Sequence, residues 1–266
     1  MKRLLTVDQG NGSAKFALWE LERGGARITH RHRASRAQWS APLGLSFVRE
    51  WLPEAVAVAS VAGAEARGTL LDQIATQVRC PLLHELDAGL ENCTRTPERV
   101  GEDRLMAARG ALELVARSAI VVDAGTALTV DAVRAAEGSH PAAFLGGAIA
   151  PGPELLARAL DDGTAQLFSV DAHADARALG RDTREALEAG ISIGFLGAAR
   201  ELVSRVAAEA GLHVAPLLLT GGARHLLRAL TAPGGAELIE DESLVERGLL
   251  AAARAKLRDE DSAWTA

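Results

Sequence analysis

Apolar positions in this chain switch between a period of two and a period near four. Residues 4–7, 16–21 and 28–33 read as strands with glycine-rich turns between them, so the chain opens as a β-meander. Residues 45–52 then read as a helix, 55–61 as a buried strand, 64–78 as an amphipathic helix and 82–86 as another strand. The order returns further on, with strands at 119–122, 128–133 and 144–149, helices from Glu154 and from Thr183, a strand at 215–219 and a closing helix from Leu244. Alternating strands and helices predict an α/β fold. The repeated order predicts internal duplication, with domains at 1–115 and 116–266 and the boundary after a helix that starts near Asp103.

The sharpest sign of duplication is local. Val7-Asp8-Gln9-Gly10-Asn11 reappears as Val122-Asp123-Ala124-Gly125-Thr126, each between two predicted strands. The separation is too long for a solenoid repeat and suits two similar domains facing each other across a cleft.

Composition narrows the partners. The chain has 266 residues, 48% hydrophobic and 24% charged, which are globular values, and no uncharged apolar run is long enough to span a membrane. The apolar run after Lys2 and Arg3 stops at Asp8, too short for a secretory h-region, so a soluble cytoplasmic protein is expected. Cys80 and Cys93 form no CxxC pair and read as reduced thiols. A net charge of -6 argues against a general phosphate-backbone binder, so neither nucleic acid nor membrane is an expected partner. The basic stretch Arg27, His30, Arg31, His32, Arg33 and Arg36 has no interleaved aromatic residue and fits a solvated edge strand.

An Asp-x-Gly-[Asn/Thr] hairpin can bind phosphate: glycine admits a ligand close to the backbone, and the turn's N–H groups can face phosphate oxygens. Asn11 or Thr126 can add a side-chain donor. Asp8 and Asp123 would repel phosphate directly, so their useful role is to hold a hydrated Mg2+ that bridges its oxygens. Lys15 can reach the same anion as a point charge. Four further segments stand out by glycine placement: 101–104 (GEDR), 146–152 (GGAIAPG), 180–183 (GRDT) and 220–222 (TGG). In the first, Asp103 falls in the opening turn of a helix, where the dipole favours the ionised carboxylate and makes it an available base or a helix-start residue. The last follows an apolar strand, and its amides can serve a nucleotide.

The ordered set DxGN…K (8–15), GxDR (101–104), DxGTAxTxD (123–131), GGxIxPG (146–152), GxDT (180–183) and TGG (220–222) resembles type III pantothenate kinase over nearly the whole chain. The resemblance implies two duplicated actin-like (ribonuclease H-like) domains of the acetate and sugar kinase, heat-shock ATPase and actin superfamily. Mixed sheets flanked by helices would border the cleft. It implies ATP-dependent phosphorylation of pantothenate to 4'-phosphopantothenate, the first step of coenzyme A synthesis. By that resemblance Asp8, Gly10, Asn11 and Lys15, with Gly125, Thr126, Thr220, Gly221 and Gly222, serve ATP, and Asp8 and Asp123 serve Mg2+. Asp103 corresponds to the base that accepts the hydroxyl proton, while Gly101, Arg104 and Thr183 correspond to pantothenate contacts. A monovalent cation (K+ or NH4+) and a homodimer, with Thr183 completing the partner's pocket, are also implied.

Two positions depart from the family pattern. Gly12 stands where the family usually has Thr, with Ser13 next, and the Tyr common before GxDR is absent, with Thr94 or Arg95 in that stretch. Gly190, Gly194 and Gly197 share one face of the helix after Thr183, which suits either packing within the domain or a dimer seam. Glu246 and Arg247 read as solvated surface. Besides the kinase, two readings fit: a non-catalytic nucleotide-binding accessory factor for transcription from the same family, and another kinase or phosphatase of the superfamily.

Overall fold

β1 (Arg3–Gln9) is buried on both faces, which puts it in the middle of a sheet. β2 (Ser13–Glu22) and β3 (Gly25–Ser35) follow it antiparallel, while β4 (Ala55–Ser60) and β5 (Leu82–Leu83) lie parallel on its other side, in the order β3-β2-β1-β4-β5. Alternation sends Leu5, Val7 and Phe16 into one core with Trp39 of α1 (Arg36–Trp39), Val48 of α2 (Ser46–Trp51) and Leu70 and Ile74 of α3 (Ala64–Gln77). Leu4, Thr6 and Asp8 take the opposite face. The computed structural model describes residues 2–41 and 44–263, with side chains to 258; the outermost ends of both expected domains, 1 and 264–266, lie outside the described residues, as do 42 and 43.

The second sheet repeats the first. β7 (Ala119–Ala124), β8 (Ala127–Arg134) and β9 (Ala143–Pro151) form the antiparallel meander, β10 (Leu217–Thr220) runs parallel to β7, and β11 (Leu238–Glu240) parallel to β10. β6 (Glu91–Asn92) adds itself parallel to β9, giving β11-β10-β7-β8-β9-β6. Without β6 the two orders correspond strand for strand. α6 (Thr183–Glu209) lays Phe195, Ala199, Val203 and Ala207, four apart, onto Ile120, Val122, Leu128, Val130, Leu217 and Leu219. Its first turns place Leu187 and Ile191 against Ala157 of α5 (Pro153–Gly163) and Val170.

The compact units are discontinuous in sequence. The first contains the chain to Leu90, Glu98–Glu113 and everything from Leu244; the second contains Glu91–Pro97 and Leu114–Ser243. This grouping differs from a single division at 115/116 because the closing helix α7 (Leu244–Ala263) packs on β1 and β4 and on α4 (Glu102–Val115). A Cβ at Gly110 would collide with the Leu244 carbonyl, and one at Gly248 with that of Met106, so both glycines are needed for the crossing. The strand expected at 82–86 stops at Leu83, since Glu85 turns to φ 54° and leaves the ladder. β6 and β11 have two and three residues, too few to carry a period.

Candidate active site

The first unit gathers charge around the end of β1. Asp8 and Lys15 are direct cross-strand partners, so their side chains share a face, and Lys15 Nζ donates to Asp8 Oδ2 at 3.0 Å. Asp8 is only 7% exposed. The loop is closed by the Gly10 N–H donating to the Ser13 carbonyl at 3.0 Å, leaving Asn11 and Gly12 exposed. In the first turn of α4, Asp103 Oδ1 accepts the Arg104 N–H at 2.8 Å. A side chain at Gly101 would press on that carboxylate, so glycine keeps its approach open.

Asp103 departs from the sequence expectation in its electrostatics. Its carboxyl is held above its ordinary pKa, chiefly by burial and next by the Asp8 carboxylate; the Arg104 N–H, Arg104 and Lys15 pull the other way and do not prevail. The helix start alone would favour ionisation, but desolvation outweighs it.

A polar network fixes α4 on the opposite side of β1. Gln9, fully buried, donates through Nε2 to the Ala66 carbonyl at 3.0 Å and accepts the Ser60 hydroxyl at 2.8 Å. The Ser60 N–H donates to Glu102 Oε2 at 3.0 Å, and Arg67 pairs with Glu102 at 3.2 Å. The ends of β1 and β4 are thereby tied to the turn that carries Asp103. Sequence reading missed Gln9, Ser60, Arg67 and Glu102, although the alternation that puts Asp8 on one face necessarily puts Gln9 on the other.

The second unit gathers glycines around the end of β7. Asp123 stands beside Thr220 in the parallel β7–β10 register. A Cβ on Gly221, at φ 89°, would collide with Asp123 Oδ1 and the Ala124 carbonyl, and the Ala223 N–H donates to that carbonyl at 2.8 Å. Gly152, at the start of α5, donates to the Thr126 carbonyl at 3.0 Å, with no room for a side chain beside Gly125 and Thr126. Asp123, Gly125, Thr126, Gly152 and Thr220–Gly222 are thus one neighbourhood within this unit. Thr183 lies elsewhere in it, exposed at the first position of α6, whose N-cap Asp182 accepts the Glu185 N–H.

Other expectations resolve individually. The Ser13 hydroxyl accepts from Arg33 Nε at 3.1 Å, so it is engaged on β3. The Thr94 hydroxyl donates to Asn92 Oδ1 at 2.8 Å. Gly190, Gly194 and Gly197 are exposed with open space over each, which removes packing within the unit as their reason. β3 is an edge strand, but His32 and His30 lie against Phe47 and Trp51, with ring centroids 4.3 and 5.3 Å apart. Cys80 and Cys93 are free thiols.

Glu246 corrects the solvated-surface reading. It is 5% exposed, because it falls on the buried stripe of α7 with Leu249, Leu250 and Ala253. Its spacing from those residues was the available signal. Burial and the Asp8 carboxylate push its pKa up to about 7. Among the described residues no three His, Cys, Asp or Glu side chains form a metal cage, and no helix is long and apolar enough to cross a membrane.

Comparison with known proteins gives concordant matches. The family model for type III pantothenate kinase matches residues 4–205. A type III pantothenate kinase of Thermus thermophilus is 35% identical over 256 residues, covering 93% of this chain and 97% of that protein. One from Thermomicrobium roseum is 39% identical over 163 residues, 61% of this chain and 58% of that protein. Among solved structures, a Baf-family protein of Campylobacter jejuni aligns over 96% of this chain and 99% of its own, with a TM-score of 0.58 and 19% identity, a likeness that concerns the fold alone.

Proposed function

Because the chain belongs to the type III pantothenate kinase family, we propose that it transfers the γ-phosphoryl group of ATP to the primary hydroxyl of pantothenate, forming 4'-phosphopantothenate for coenzyme A synthesis. The observation that carries this reading is Asp103, half-buried beside the Asp8–Lys15 pair with its carboxyl pushed above the ordinary range. A raised carboxyl is a better proton acceptor at neutral pH than an ordinary one, and phosphoryl transfer to an alcohol needs the hydroxyl proton removed.

In this mechanism Asp103 accepts the proton from the pantothenate hydroxyl. Gly101 leaves room for substrate at that carboxylate, and Arg104 suits the carboxylate of pantothenate. Asp8, Gly10, Asn11 and Lys15 on one hairpin, and Gly125, Thr126, Thr220, Gly221 and Gly222 around the other, bind ATP. The hard carboxylate oxygens of Asp8 in the first unit and of Asp123 in the second each suit Mg2+, which keeps most of its own waters and needs no all-protein cage; held by such a carboxylate, it would neutralise phosphate charge.

The finer features are a monovalent cation (K+ or NH4+), a cytoplasmic setting and a homodimer in which Thr183 completes the pantothenate pocket of its partner. The open glycine face of α6, directly after Thr183, supports the dimer. The accessory-factor alternative is not favoured, since the matching family and the Thermus thermophilus and Thermomicrobium roseum relatives are kinases and a nucleotide-binding regulator has no use for a proton acceptor at the site.

The test is a coupled assay with ATP and pantothenate, with and without K+. ATP- and pantothenate-dependent ADP release is expected, rising with K+; no release at any cation concentration overturns the kinase reading. For the dimer, Thr183→Arg and Asp103→Asn should each abolish most activity, and mixing them with subunit exchange should return roughly a quarter of wild-type activity. Exchange without recovery refutes a shared pocket.

A further inference from the structure

Strand alternation divides the basic stretch at residues 27–36. His32 pairs with Phe16 and His30 with Leu18, and both histidines lie with those residues on the core side of the sheet, against Phe47 and Trp51. Arg31 and Arg33 therefore stand on the opposite side, which is the side of Asp8. The register makes this a row: Asp8 is the direct partner of Lys15, and Lys15 of Arg33, across β1, β2 and β3. Directly opposed residues in neighbouring strands project from one face with Cβ atoms about 5 Å apart. Arg33 thus continues outwards the pair that Lys15 makes with Asp8 at 3.0 Å.

A charge that only guards an edge strand can point anywhere into water. Arg33 is instead aimed. Its Nε donates to the Ser13 hydroxyl at 3.1 Å, and Ser13, two residues before Lys15 on the same face, borders the loop of residues 10–12. Both Nη atoms are without a partner among the described residues. The loop is fastened to the same strand end, since the Arg36 N–H donates to the Gly12 carbonyl at 3.0 Å. Gly12 brings no side chain to that corner, and nothing stands within 4 Å of where one would be. Arg33 is exposed and Ser13 and Lys15 are half-buried, so a ligand can reach all three.

We propose that Arg33 is a further phosphate-binding residue of the first hairpin: Ser13 holds its Nε, and the two Nη donors take oxygens of the nucleotide's phosphate chain beside Lys15. This rests on the kinase reading of that hairpin and adds to it a contact from a strand outside the Asp-x-Gly-Asn turn. A planar fork suits the task, because one edge is anchored on a hydroxyl while another offers parallel N–H groups to an anion; a lysine there could do only one of these. Ser13 then acts through Arg33 as a positioning residue.

The experiment uses the full chain and reads ATP affinity by calorimetry at low and at high ionic strength, with steady-state KM values for both substrates. Arg33→Gln should weaken ATP binding about tenfold at low ionic strength, as expected on loss of hydrogen bonds to a charged group. The deficit should shrink at high ionic strength, where salt screens the wild-type contact. KM for ATP should rise with it while KM for pantothenate stays unchanged. Arg33→Lys should recover part of the affinity. Ser13→Ala should weaken ATP binding less, and should add nothing once residue 33 is glutamine. Unchanged ATP affinity in folded Arg33→Gln overturns the proposal. So does a loss that is equal at both ionic strengths and raises KM for pantothenate alike, which marks a structural role only. Lys15→Gln separates the two levels: ATP affinity lost in that variant and kept in Arg33→Gln refutes the Arg33 proposal and leaves the kinase reading standing. Wild-type protein that binds no ATP overturns both.

Discussion

The chain uses one turn twice and equips it differently each time. At the first hairpin, Asp8 faces Lys15 across the strands, and Asp103 and Glu246 act on or feel the same carboxylate. At the second, the position opposite Asp123 is Thr129, and the surroundings are glycine backbone from Gly152 and Gly221. The loops differ too, three residues between β1 and β2 against two between β7 and β8. Side-chain charge dominates one end and close-packed main chain the other. Both carry a carboxylate suited to a cation, but the first can also move a proton, whereas the second can offer N–H groups to phosphate. Duplication therefore preserved the backbone device and let the chemistry diverge.

The comparison breaks most visibly at Asp103. Asp103→Asn keeps the shape and removes the proton acceptor, so turnover should fall about 10²- to 10⁴-fold with ATP affinity nearly unchanged. Steady-state kinetics and ATP binding check this, and retention of half the turnover would exclude Asp103 as the base.

Glu246 gives the next largest effect and a pH signature for the first unit. Its folded-state pKa is about 7 against 4.5 ordinarily, so the folded protein holds this proton more tightly than the unfolded chain does. That contribution is fully present below 4.5 and is lost as pH rises through 7. Its size is about 3 kcal/mol. Urea unfolding at pH 5 and pH 8 should show wild type losing this much relative to Glu246→Gln. Parallel pH profiles would show that the carboxyl is not raised.

In the second unit the weak point is backbone. Gly221→Ala forces a Cβ into Asp123 and Ala124 at φ 89°, for a loss of about 1–3 kcal/mol in urea unfolding. Gly10→Ala in the first hairpin meets only the Ser13 carbonyl, at 3.6 Å, and should cost clearly less. Equal losses would erase the contrast between the two turns. The smallest effect belongs to Gly12→Thr, which restores the residue usual in the family: with open space at that position, stability should stay within about 0.5 kcal/mol. Any gain should appear in KM for ATP, which reads whether a hydroxyl at that loop position serves phosphate.

Asp8, Gly10, Asn11, Asp123, Gly125 and Thr126 could be read as hairpin residues because turn chemistry and strand period are properties of neighbours in sequence. The duplicated order of elements was legible for the same reason, and it reappears in the two sheet orders. What the sequence left undetermined depends on residues far apart in the chain. That α7 joins the first unit follows from Gly110 meeting Leu244 and Gly248 meeting Met106, contacts that no local period encodes. The raised pKa of Asp103 is not legible from its helix position, because desolvation is set by everything packed around a group and only the folded chain supplies that packing. Glu246 carried a periodic hint, yet its meaning depends on β1 placing Asp8 nearby, and that juxtaposition exists only in the tertiary structure.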